Sequence, residues 1–425
     1  MNNVAQNTDL RDCVAQRGAR RHLAGLSSES TLLYNSQTGA VVLCCGIVFK
    51  VSSLPGLVSL SLQSSTLWLY IVMSAVDLVC LAATVFFAYS GADVLLSRSS
   101  GFVYRAFNAL TCAYFTVKGY VYFVYAVIFL TVDLFVGIAP YIVVLVLAVP
   151  VIYLGVKGLR TVARCCEIFA LLLLGIIVVN LCFLKTDADF GRNLPVFSVA
   201  PGEFLERGLR FGMWLGDLFP LMFAGIRRKK LPWIGISAGV SYSLVVIVAA
   251  LAVAMYGNAL PYVYNMLIRI AGFNRLSMEI GRLEWAALFV VIVMAVLGLA
   301  LLFHGASESS FRAFGSALPA RLLFSAAITV GVLVVPTPQD VVEFSKSDFG
   351  YVMFALAAAI AVYLFAAGTY ARKKGRRSAE EERPFPEEPA ENDVTSSVES
   401  EAACSSLPQE KEISADGTSS KGGCV

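Results

Sequence analysis

The sequence predicts an all-α integral membrane protein: ten transmembrane helices in a five-plus-five inverted repeat, with spans 1 and 6 broken. Three observations carry this. The 425 residues are 57% hydrophobic and only 15% charged, with a mean hydropathy of +0.72, whereas a soluble domain carries about 25% charged residues. Ten apolar segments follow one another, at 37–60, 66–90, 108–131, 138–156, 161–184, 205–226, 232–256, 284–304, 317–336 and 350–370. Each is near the roughly 20 residues that cross a bilayer. Segments one and six, five spans apart, each place a glycine, a charge and a proline at membrane depth: Gly46, Lys50 and Pro55 in one, Gly216, Asp217 and Pro220 in the other. Paired interruptions of this kind mark inverted-repeat transporters, whose binding site lies at the repeat interface.

Taken in order, residues 1–36 are polar and basic, with Arg11, Arg17, Arg20 and Arg21, and read as a cytoplasmic arm. No apolar stretch precedes about residue 38, so no cleaved signal peptide is expected. The membrane domain spans 37–371. With the N-terminus inside, the basic clusters Lys157–Arg164, Arg227–Lys230 and Arg372–Arg377 all fall on the cytoplasmic side, as the positive-inside bias requires. Ten spans then return the C-terminus to the cytoplasm. The longest outer connection, 257–283, mixes apolar residues with Arg269, Arg275 and Arg282 and reads as an interfacial helix. From Arg372 to Val425 the chain is rich in Glu, Ser and Pro and is expected to be a disordered cytoplasmic tail.

The candidate site is built from charges that a bilayer penalises. Lys50, Asp77, Lys118 and Asp217 lie in spans 1, 2, 3 and 6. Ionisable residues in spans face the bundle interior, find partners and mark solute or proton pathways. Two cations and two anions balance, so the four form a candidate proton or ion-pair network; structural pairing between helices is the competing reading. Tyr114, Lys118, Tyr122 and Tyr125 recur at helical spacing on one face of span 3. With Phe49 and Trp214 they offer walls for a small solute; ordinary packing plus an interfacial belt is the competing reading, and it accounts for at least Tyr125. An α-amino acid presents a carboxylate and an ammonium. Free N–H groups of half-helices beyond Gly46 and Gly216 are expected to take the carboxylate, and unwound carbonyls or Asp217 the ammonium. The substrate-binding set is therefore Gly46, Phe49, Lys50, Tyr114, Lys118, Gly212, Trp214, Gly216 and Asp217.

Other chemistries lack a basis. No nucleophile–base set, HExxH, Walker loop or GxGxxG after a strand appears, so no enzyme is expected. Only His22 and His304 are present and no Cys/His spacing suits a metal, so neither metal nor cofactor is expected. The basic clusters lie at membrane edges, which argues against nucleic acid; the lipid bilayer is the expected partner.

Four stretches together resemble the spore germination permease family, the GerAB-type B subunits of nutrient-germinant receptors, within the amino acid–polyamine–organocation (APC) superfamily. They are YNSQTGAVVLCCGIVFKVSSLPG at the opening, YLGVKGLRTVARCCEI before span 5, NLPVFSVAPGEFLERGLRF before span 6 and FNRLSMEIGRLEWAALFVVIV at span 8. The likeness covers about residues 34–370 and rests on the order and spacing of the motifs. It implies a LeuT-like ten-helix fold with an amino-acid-sized site between spans 1, 3, 6 and 8, in a bacterial or spore inner membrane. It also implies A- and C-type receptor subunits as partners and ligand sensing in germination as the role. An amino-acid permease, proton-coupled or facilitative, is the alternative. Family members often carry Glu where this chain has Asp217, and the basic arm and long tail depart from the family's compact form.

Overall fold

The computed structural model describes residues 33–381 except 53–57, 60, 63–64, 100, 134–137, 183–188, 194–198, 227–230, 264–267, 269, 271–282, 334–339, 341–342 and 345–346. The basic arm, Pro55, most of the expected interfacial helix and the tail beyond Glu381 lie outside the described residues. The described residues are helical, with no strand among them. In order they form α1 (Asn35–Ser52), α2 (Thr66–Ser90), α3 (Ala92–Ser99), α4 (Phe102–Asp133), α5 (Pro140–Lys157), α6 (Leu159–Cys182), α7 (Pro201–Leu209), α8 (Leu231–Tyr256), α9 (Leu283–Phe314), α10 (Leu318–Leu333) and α11 (Phe349–Glu381).

Seven of these, α2, α4, α5, α6, α8, α9 and α11, are long and apolar enough to cross a membrane, and the chain is an integral multi-pass membrane protein. α1 and α10 are shorter apolar helices. The sixth apolar segment, 205–226, is not a helix through its length. After α7 the backbone turns at Arg210 and runs to Ile226 through two 3-10 turns, Gly212–Trp214 and Phe219–Phe223. Pro220 lacks the N–H a helix needs there, and Gly216 sits at φ 72°, a conformation open to glycine at little cost.

Local chemistry sets the helix ends. Pro140 and Pro201 stand in the first turns of α5 and α7, where a missing N–H costs nothing. Gly91 and Gly315 close α2 and α9 in the left-handed conformation, and the Gly315 N–H returns to the Phe311 carbonyl at 2.9 Å.

α4 and α9 pack on each other through the centre, and most of each is buried; α5, α6 and α11 are mostly outward-facing. Their outward residues are large and apolar, such as Leu145 and Val149 on α5, Ile168 and Leu171 on α6, and Val362 and Phe365 on α11. Surfaces of this kind are at home in lipid rather than in water. Two phenylalanines lock the centre to its neighbours. A Cβ on Gly119 of α4 would lie 2.3 Å from the Phe324 ring of α10, and one on Gly155 of α5 would lie 2.4 Å from the Phe303 ring of α9. The two rings meet edge to face at 5.0 Å. α1 packs on α6, α8 and α9, and α2 on α8 and on the Phe219–Phe223 turn.

Candidate functional site

The turn between the two 3-10 stretches exposes backbone polar groups that no helix satisfies, and buried groups of this kind need partners. The Leu215 carbonyl accepts from the Tyr114 hydroxyl at 2.7 Å and from the Lys118 ammonium. The Gly216 N–H donates to Asp77 Oδ1 at 2.7 Å. The interruption is thus held by one cation and one anion projecting from α4 and α2.

Around it the four charges close into a network. The Lys50 ammonium pairs with Asp77 and lies 3.2 Å from Asp217 Oδ2. Lys118 Nζ lies 2.7 Å from Asp217 Oδ1. Tyr122 donates to Asp217 Oδ1 at 2.6 Å, and Tyr242 to Asp77 Oδ2 at 2.7 Å. The order is Asp77, Lys50, Asp217, Lys118, alternating in sign, with every member buried. Buried charges persist only when paired and hydrogen-bonded, and here each carboxylate oxygen has at least one donor. An aromatic stack lies against the network. Phe49 meets Tyr122 at 3.9 Å, Tyr122 stacks on Trp214 at 5.0 Å, and Tyr125 meets Trp214 edge-on at 5.3 Å.

The structure therefore brings together Phe49, Lys50, Asp77, Tyr114, Lys118, Trp214, Gly216 and Asp217. Two predicted residues sit elsewhere. Gly46 lies inside unbroken α1, so no half-helix begins there; Leu218 of the interrupted stretch packs over it. Gly212 faces α11, where a Cβ would lie 2.3 Å from that of Phe354. Beyond Gly216 the expected half-helix is replaced by a 3-10 turn, and the Gly216 N–H is taken by Asp77 rather than left open. Sequence reasoning missed Tyr242, whose hydroxyl reads as packing in an apolar helix. It also missed Tyr70, which donates to the Lys50 carbonyl at 2.9 Å.

A second cluster holds the far end of the interrupted stretch. Arg312 of α9 grips Asp93 of α3 with two bonds of 2.7 Å and reaches Glu308 at 2.5 Å. Tyr104 donates to Asp93 at 2.7 Å. The Arg312 guanidinium sits 4.3 Å from the centre of the Phe223 ring, a cation–π distance. The predicted end of span 8 at residue 304 misplaced Arg312 in a loop; α9 continues to Phe314 and carries Glu308 and Arg312 one turn apart.

No protein-family model matches the chain, and no curated protein is similar to it.

Proposed function

We propose that this chain is a transporter-fold membrane protein that takes a small amino-acid-like ligand at mid-membrane. In this reading spans 1–5 and 6–10 are inverted repeats and both termini are cytoplasmic. Support for the repeat comes from which elements touch. α1 on α8 has its counterpart in the Phe219–Phe223 turn on α2; α4 on α10 has its counterpart in α9 on α5; and α4 on α5 in α9 on α10. α6 packs on α9, and its counterpart, α11 on α4, is a slighter contact made by the Phe107 and Tyr363 rings, which stack at 3.7 Å. α1 on α6 is matched by Gly212 against Phe354 of α11.

The single observation that carries the ligand reading is how the interruption is satisfied. A carboxylate, Asp77, occupies the Gly216 N–H, and an ammonium, Lys118, occupies the Leu215 carbonyl. These are the two groups a zwitterion presents. An amino acid entering here exchanges with them: its carboxylate replaces Asp77 and its ammonium replaces Lys118, while the freed side chains keep their partners in Lys50 and Asp217. The exchange adds no net charge and loosens α2 and α4 from the interruption. That shift is what partner subunits would read if the chain serves, as the resemblance implies, as the B-type subunit of a spore germinant receptor with A- and C-type partners.

The test is a thermal-shift screen of the purified full-length protein against the common amino acids, repeated with Asp217→Asn. At least one amino acid is expected to raise the melting temperature of the wild type, and Asp217→Asn is expected to lose the response. No shift with any of them defeats the ligand reading. The balanced, wholly internal network equally favours a permease, proton-coupled or facilitative; labelled uptake of the hit into vesicles, lost in Asp217→Asn, would select it.

A further inference from the structure

Among the described residues, the Tyr125 hydroxyl is buried without a hydrogen-bond partner, although Tyr125 is only 6% exposed. The neighbouring tyrosines differ. Tyr70, Tyr114, Tyr122 and Tyr242 are equally buried, and each hydroxyl donates to a named oxygen. Buried hydroxyls are seldom left unpaired, because the lost hydration is not recovered. Tyr125 follows Tyr122 by one helical turn on α4, and its ring lies edge-on to Trp214 at 5.3 Å. The unpaired hydroxyl thus belongs to the aromatic wall that begins where the charged network ends.

We infer that Tyr125 is a specificity-determining residue that receives an uncharged hydrogen-bonding group on the ligand's side chain, an amide or a hydroxyl. This rests on the proposed ligand site. Charge excludes the other classes. Lys50 and Lys118 already cancel Asp77 and Asp217, so an ionised ligand side chain would enter with no counter-charge, which a buried site opposes. A purely apolar side chain would leave the Tyr125 hydroxyl as unsatisfied as before. The Trp214 and Tyr122 rings are stacked on each other, with Tyr125 edge-on to Trp214, and offer only apolar ring edges to either member of a pair, so discrimination falls on the hydroxyl.

The experiment compares shape-matched amino acids on the purified full-length protein by calorimetry or thermal shift: serine with alanine, threonine with valine, glutamine with methionine, and glutamine with glutamate and lysine. In the wild type the hydrogen-bonding member of a pair is expected to bind about 3–10-fold more tightly, and glutamate and lysine more weakly than glutamine. Tyr125→Phe should bring the matched ratios to about one while leaving the melting temperature of the unliganded protein unchanged or higher. Ratios retained in Tyr125→Phe overturn the inference. So does a lower melting temperature of unliganded Tyr125→Phe, which would show that the hydroxyl has a structural partner. Glutamate or lysine binding as tightly as glutamine overturns the charge argument. A wild type that answers to none of these amino acids removes the ligand site itself and the inference with it, whereas binding that ignores Tyr125→Phe removes only the inference.

Discussion

Lys50→Met is expected to destabilise the protein by about 3–5 kcal/mol, the usual result of removing one partner from a buried ion pair. Among the described residues Lys50 is the only cation paired with Asp77, and it bridges Asp77 to Asp217. Its loss leaves two carboxylates facing each other with Lys118 paired to one of them. The second substitution Asp77→Asn should recover most of the loss. The amide oxygen still accepts from Gly216, and Asp217 keeps Lys118 and Tyr122. Thermal unfolding of the single and double variants measures both effects. A Lys50→Met protein as stable as wild type would mean that the network carries little of the fold's energy.

Arg312→Gln should cost about 3 kcal/mol or more for the same physical reason: Asp93 and Glu308 are left without their cation, and Phe223 loses the charge above its ring. Asp93 and Arg312 are mostly buried, with side chains 20% and 15% exposed, so solvent screens the pair only in part. The effect should be local as well as global. Phe223 closes the second 3-10 turn of the interrupted stretch that carries Asp217, so amide hydrogen exchange in 217–226 should rise in Arg312→Gln, and more than in α11. Reversing the pair, Asp93→Arg with Arg312→Asp, should restore part of the protection. Protection unchanged in Arg312→Gln would show that the cluster closes α3 on α9 without bearing on the interruption.

Much of the fold was legible because hydrocarbon leaves the chain few choices. The second apolar segment, 66–90, coincides with α2, and the fourth and fifth differ from α5 and α6 by two residues at most. The misplaced ends share a cause. α4 starts at Phe102, α9 reaches Phe314 and α11 reaches Glu381, each several residues past the apolar run. In α9 and α11 these turns are rich in polar and charged residues, and in α4 they carry Arg105 and lead to Asn108, so hydropathy stops reporting them as part of a span. The meeting of Lys50, Asp77, Lys118 and Asp217 was legible because a charge at membrane depth must find a partner. Tyr242 and the Leu215 carbonyl were not. A tyrosine carries no sign of whether its hydroxyl is used, and a backbone oxygen has no signature in sequence at all. Gly46 was misread because glycine in a membrane helix serves close packing as readily as interruption.

The notches at Gly119 and Gly155 have a mechanical meaning. Each admits a phenylalanine ring where even one methyl group would collide, and the two rings brace each other. α4, α5, α9 and α10 therefore form a chassis: sliding any one of them by a turn would drive a ring into a side chain. On the proposed ligand exchange, displacement would be borne by α1, α2, α8 and the interrupted stretch, which carry Lys50, Asp77, Tyr242 and Asp217. Lys118, on α4, is the member of the network that belongs to the chassis, and on that proposal it would be the fixed post for the other charges.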